Sequence, residues 1–157
     1  MSHETEIRLV QRTEQPTAVV RENVPMNELP EFFGRAYGAV MAAAQQQGVQ
    51  LGGPPFGRYL NMPTDSVDVE AGFPVSAPIS ASAGVAAGTL PACQAFEATH
   101  TGPYDTLSTT YDAIQERMTE EGFSPAGSMW EYYLSDPATE PDSSTWKTLV
   151  VWPVAES

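Results

Sequence analysis

Hydrophobic and polar positions change rhythm several times along this chain, and each change marks an element. Residues 6–22 alternate as a strand, with Ile7, Leu9 and Gln11 set against Arg8 and Val10; the break is expected at Gln15-Pro16. Residues 27–48 follow the i, i+3, i+4 spacing of an amphipathic helix through Leu29, Phe32, Phe33, Ala36, Tyr37, Val40, Met41 and Ala44. Asn27 is its expected N-cap and Gly48 its C-terminal stop. Strands are predicted over 56–61 and 67–75 with a tight turn between them, followed by an Ala/Ser/Pro/Gly-rich connector at 76–84. The order then restarts. A strand over 85–99 carries Pro91 near its middle, a helix over 105–121 carries Leu107, Tyr111, Ile114 and Met118 on one stripe, and Gly122 follows it. Strands over 128–134 and 146–154, separated by a polar loop at 136–144, complete the chain.

The two runs share more than element order. Phe56-Gly57-Arg58-Tyr59-Leu60-Asn61-Met62-Pro63 aligns with Trp130-Glu131-Tyr132-Tyr133-Leu134-Ser135-Asp136-Pro137, and Phe73-Pro74-Val75 with Trp152-Pro153-Val154. This predicts an α+β fold: one domain over 1–157, built by internal duplication of a strand-helix-strand-strand unit (half-repeats about 6–75 and 85–154, linker 76–84). Antiparallel sheets, two main helices and a central pseudo-twofold groove are expected, and ligands favour such clefts. In this register Tyr133 answers Tyr59, whereas Glu131 takes the place of Gly57.

Glu131 is the residue that this pattern singles out. Alternation puts Met129, Glu131 and Tyr133 on one face of their strand and Trp130, Tyr132 and Leu134 on the other. A carboxylate among bulky side chains is costly unless the face lines a polar or wet cavity. There it can pair with a ligand cation, and aromatic walls add stacking and cation–π attraction. Tyr59 and Tyr133 are candidate walls with hydroxyls. Tyr37 and Tyr111 lie on helical stripes, where aromatics more often serve the core, and Trp130 is assigned to the core. Alternation assigns Trp146 and Trp152 to neither groove nor core.

Composition removes several functions. Twenty acidic residues against seven basic ones give a net charge of −13, which disfavours binding a phosphate backbone and favours cationic ligands; solubility alone also accounts for much of the charge. The single cysteine, Cys93, permits no intrachain disulfide or cysteine metal cluster. His100 and His3 are too few and too scattered for a metal site, and neither a phosphate-binding loop nor a nucleophile elbow occurs, so no cofactor or metal is expected. With a polar N-terminus and no long apolar run, a soluble cytoplasmic protein is expected.

His100-Thr101-Gly102-Pro103-Tyr104-Asp105-Thr106-Leu107, Trp130 to Pro137, Trp146-Lys147-Thr148 and Trp152-Pro153-Val154 together resemble the GyrI-like domain, also called the AraC-type or bacterial transcription activator effector-binding domain. The resemblance runs from about residue 6 to 154. It implies a groove that binds amphipathic, often cationic aromatic molecules, with the motif glutamate carried over to Glu131. Multidrug regulators fuse this domain to a DNA-binding helix-turn-helix; the present chain resembles a stand-alone member, with no direct nucleic-acid or membrane contact expected. Sensing or sequestration of such molecules is the leading expectation, with Glu131, Tyr133, Tyr59, Tyr37, Tyr111 and Trp146 as ligand contacts. Some relatives instead hydrolyse cyclopropane-bearing DNA alkylators; in that role Glu131 would be the base or water-orienting group, and Tyr59 or Tyr133 the acid. Others inhibit DNA gyrase, which would make a topoisomerase a protein partner.

Overall fold

A computed structural model describes residues 7–60, 65–81, 84–103, 106–126, 128–135 and 141–156. The fold is α+β, with antiparallel strands and two long helices. It divides into two compact units, Thr13–Ala92 and Met1–Arg12 with Cys93–Ser157.

In the unit Thr13–Ala92, strands β2 (Gln15–Pro25), β3 (Phe56–Tyr59), β4 (Ser66–Pro74) and β5 (Ala86–Leu90) are ordered β3-β4-β2-β5. Helix α1 (Leu29–Gln47) lays Phe32, Ala36, Val40 and Ala43 on a core completed by Val67, Val69, Ala71 and Phe73. Burying those aliphatic side chains is what holds the helix down, at roughly 1.5–3 kcal/mol for each large one. Helix α1 stops at Gly48, whose φ of 68° suits a residue without Cβ. Its start differs from the sequence expectation. Met26–Glu28 forms a short 3-10 turn, so Asn27 lies inside helical backbone; the N-cap position falls to Glu28, without a side-chain cap. The strand break also moves. Gln15 and Pro16 belong to β2, and the chain turns at Thr13-Glu14. Proline is tolerated there because its carbonyl still works, accepting from Val75 N at 3.0 Å.

The second unit joins β1 (Ile7–Arg12) to β6 (Cys93–Thr101), β9 (Lys147–Glu156) and β8 (Trp130–Tyr133), in the order β1-β6-β9-β8. A short strand missed by periodicity, β7 (Phe123–Pro125), pairs with the end of β9. Helix α2 (Leu107–Glu121) covers one face, where Leu107, Ile114 and Met118 meet Phe96, Ala98, Val150 and Val154. Gly122 closes it at φ 77°. The expected helix residue Asp105 and the closing Asp136-Pro137 lie outside the described residues, as do parts of the expected loops.

The matched segments occupy equivalent places in their own units. Phe56 opens a four-residue strand and pairs with Gly72, the residue before Phe73; Trp130 opens a four-residue strand and pairs with Val151, the residue before Trp152. Gly57 then faces Ala71, and Glu131 faces Val150. The first strand of each sequence half serves the other unit: β1 pairs with β6, and β5 pairs with β2.

Candidate site: a buried glutamate held by two phenols

Strand β8 gives Glu131 its setting. Trp130, Glu131 and Tyr132 are all buried, because the strand is covered on both faces. Glu131 pairs with Val150 of β9, and Val150 belongs to the core beneath α2. Its side chain therefore points to the α2 side of the sheet, 1% exposed. Tyr133, two residues on and on the same face, donates its hydroxyl to Glu131 Oε1 at 2.9 Å. Tyr111, from the first turns of α2, donates to Oε2. One carboxylate thus accepts a phenol on each oxygen, one from its own strand and one from the helix above. Such bonds supply part of the solvation that burial removes. Tyr111 is fixed in turn by an edge contact with Trp152, 6.3 Å between ring centroids.

The same sheet carries a second buried glutamate on its other face. Glu97 of β6 and Trp130 of β8 both oppose Val151, so they share a face. Arg12, at the end of β1, ion-pairs with Glu97 and donates to Tyr132 Oη at 3.2 Å. Its guanidinium lies 5.5 Å from the Tyr132 ring centre and 5.9 Å from that of Trp130, within cation–π range.

Beside Glu131, a row of polar side chains crosses the α2 face. Tyr133 pairs with Thr148 of β9, and Thr148 with His100 of β6. His100 is buried; its Nδ1 lies 2.8 Å from Thr110 Oγ1, and its Nε2 lies 2.9 Å from Thr106 Oγ1 and 3.2 Å from Pro103 O. A carbonyl can only accept, so Nε2 carries a proton. Thr110 and Tyr111 are consecutive, so α2 is tied to β6 and β8 through adjacent residues.

The structure brings Glu131, Tyr133 and Tyr111 together. Trp146, half-buried just before β9, offers its carbonyl to Gly102 N at 2.8 Å. Tyr37 and Tyr59 belong to the other unit. There Tyr37 stacks on Phe33, meets Phe73 edge-on and donates to Phe56 O, while Tyr59 packs on the α1 core. Arg12, Glu97, Thr106, Thr110 and Thr148 escaped sequence reasoning; Arg12 and Glu97 stand 85 positions apart, and only strand register unites them. No group of metal-ligating side chains occurs among the described residues. Nor is any described helix long and apolar enough to cross a membrane.

Two long helices on antiparallel strands, with a buried carboxylate that accepts two phenols, make up an α+β domain. The chain belongs to the GyrI-like small molecule binding domain family, whose pattern matches residues 5–155. No curated protein matches it. Among solved structures, the EcmrR C-terminal domain superposes with a TM-score of 0.85 at 21% identity, covering 98% of this chain and 99% of that one. In the EcmrR–DNA complex the score is again 0.85, at 22% identity, and the matched region spans 98% of this chain but 58% of the regulator. SAV2435 bound to tetraphenylphosphonium gives 0.67 at 13% identity, covering 96% and 94%. A hydrolase from Listeria innocua gives 0.64 at 13% identity, covering 96% and 92%.

Proposed function

We propose that this chain binds small amphipathic organic cations, with Glu131 as the charge partner and Tyr111 and Tyr133 as exchangeable hydrogen-bond donors around it. The observation that carries this reading is the carboxylate at 1% exposure whose two oxygens each accept a phenol. In so dry a setting, attraction to a cation is far stronger than in water. A phenol is a neutral donor, so a ligand cation can take over one of these bonds by displacing a hydroxyl. The overall charge of −13 raises the local concentration of cations. The phosphonium held by SAV2435 is a ligand of the matching type on the same fold. Sensing or sequestration in the cytoplasm is the role we assign. Contact with nucleic acid, as in the EcmrR complex, would fall to another chain or domain.

The test is a panel of cationic dyes and phosphonium salts in a thermal-shift assay. Saturating a site at a hundred times its Kd raises stability by about 2.7 kcal/mol. No shift with any cation would remove the reading.

A second reading rests on the Tyr133–Glu131 bond of 2.9 Å, which sets a proton donor beside a base. In it Glu131 takes a proton from a water whose oxygen bonds to one cyclopropane carbon; the ring C–C bond breaks, a tyrosine protonates the released carbon, and the phenolate is reprotonated from Glu131. Product analysis with a cyclopropane-bearing alkylator decides it: ring-opened product that forms equally fast with Glu131→Gln would exclude Glu131 from the chemistry.

A further inference from the structure

Thr148 is 0% exposed, and its hydroxyl has no hydrogen-bond partner among the described residues. A buried hydroxyl left in this state is unusual and destabilising. Its surroundings explain why the protein does not satisfy it. Thr148 sits directly between Tyr133 and His100 in the row across β8, β9 and β6. The Tyr133 hydroxyl is donated to Glu131. Both His100 nitrogens are engaged by Thr110, Thr106 and Pro103 O. The Tyr133 proton and both His100 nitrogens are therefore engaged elsewhere.

The position matters because of what lies next to it. Val150, two residues along β9 from Thr148, is the register partner of Glu131. The Thr148 side chain therefore stands on the Glu131 face, about 7 Å along the strand from the carboxylate. Tyr133, the register partner of Thr148, is the half-buried member of this row.

We infer that Thr148 is a specificity-determining residue of the Glu131 site. Its hydroxyl bonds to a polar group that the ligand carries roughly one two-residue strand step, ~7 Å, from its positive charge. The ligand class is thus narrowed from organic cations in general to cations bearing a hydroxyl or carbonyl at that distance. This rests on the proposed role of Glu131 and adds a second contact to it. A site built to bond a polar group discriminates against ligands lacking it, because the site's own group then stays unpaired.

The experiment compares two probes, tetraphenylphosphonium and its analogue with one para-hydroxyl, by calorimetric titration into wild type, Thr148→Val, Thr148→Ser and Glu131→Gln. Thr148→Val keeps the shape and removes the hydroxyl. Wild type and Thr148→Ser should bind the hydroxylated probe about three- to tenfold more tightly than the parent. In Thr148→Val the ratio should fall to one with the parent's affinity unchanged. The free Thr148→Val protein should melt at or above the wild-type temperature. A ratio that Thr148→Val leaves intact, or equal binding of both probes to wild type, overturns the inference while leaving Glu131 in place. A clear drop in the melting temperature of Thr148→Val also overturns it, because the hydroxyl would then be satisfied in the free protein. Parent binding that Glu131→Gln does not weaken, or absence of binding altogether, removes the reading of Glu131 itself.

Discussion

Two glutamates lie buried on opposite faces of one sheet, and they are treated differently. Glu97 is met by the guanidinium of Arg12, which also lies against Trp130 and Tyr132. Glu131 is met by the hydroxyls of Tyr111 and Tyr133. The first arrangement spends a carboxylate on a permanent cation and ties β1 to β6. The second holds a carboxylate with neutral groups, which a ligand can replace. Burial alone therefore does not separate the two glutamates; the chemistry of their partners does, and the proposal for Glu131 rests on that difference.

The comparison breaks most visibly at Glu131. Glu131→Gln should weaken binding of tetraphenylphosphonium about 100-fold, close to two decades of affinity, while the free protein keeps its stability, since the amide oxygen accepts one phenol and its NH2 donates to the oxygen of the other. Equal affinity in a titration would put the two glutamates in one class. Arg12→Ala should act the other way. It leaves Glu97 charged and mostly buried, and breaking such a pair costs about 3 kcal/mol when dry, less here because Arg12 is partly exposed. Chemical denaturation should therefore show a clear loss of stability, with phosphonium affinity retained in the folded fraction. Tyr111→Phe should raise affinity by about threefold, the scale of one neutral hydrogen bond that the ligand no longer has to displace; a loss of affinity instead would mean that Tyr111 stays on Glu131 and supports the bound ligand.

The smallest effect belongs to an exposed pair. Arg35 donates to Glu22 at 2.6 Å and holds its carboxyl below the usual range, chiefly through that hydrogen bond. A depressed folded value means that the contribution is present at neutral pH and fades as acid protonates Glu22. With both side chains largely in solvent, Arg35→Ala should leave the melting temperature at pH 7 unchanged within error. A shift as large as that of Arg12→Ala would show that exposure is not what separates these pairs.

Much of this was legible along the chain because it is local. Alternation placed Glu131 with Tyr133 and against Trp130, and the structure keeps that assignment. The helix stripes at Phe32, Ala36, Val40 and at Leu107, Ile114, Met118 are the core residues observed, and Gly48 and Gly122 end their helices. What escaped was set by register or by competing local geometry. Arg12 meets Glu97 only because β1 pairs with β6. The Thr148 hydroxyl, without a partner among the described residues, is visible only once strand register sets it between Tyr133 and His100. Asn27 lost its capping place to a 3-10 turn, and Pro16 stayed in its strand because a carbonyl contact suffices there. Tyr111 sits on a helical stripe like any core aromatic, and nothing in its spacing reveals that its hydroxyl reaches a carboxylate on another element.

The central claim is that Glu131 supplies charge recognition. It is tested most directly by titrating tetraphenylphosphonium and neutral triphenylphosphine oxide into wild type and Glu131→Gln. Wild type should prefer the phosphonium by about two decades, and the variant should bind both alike. A preference that survives in Glu131→Gln would contradict the account.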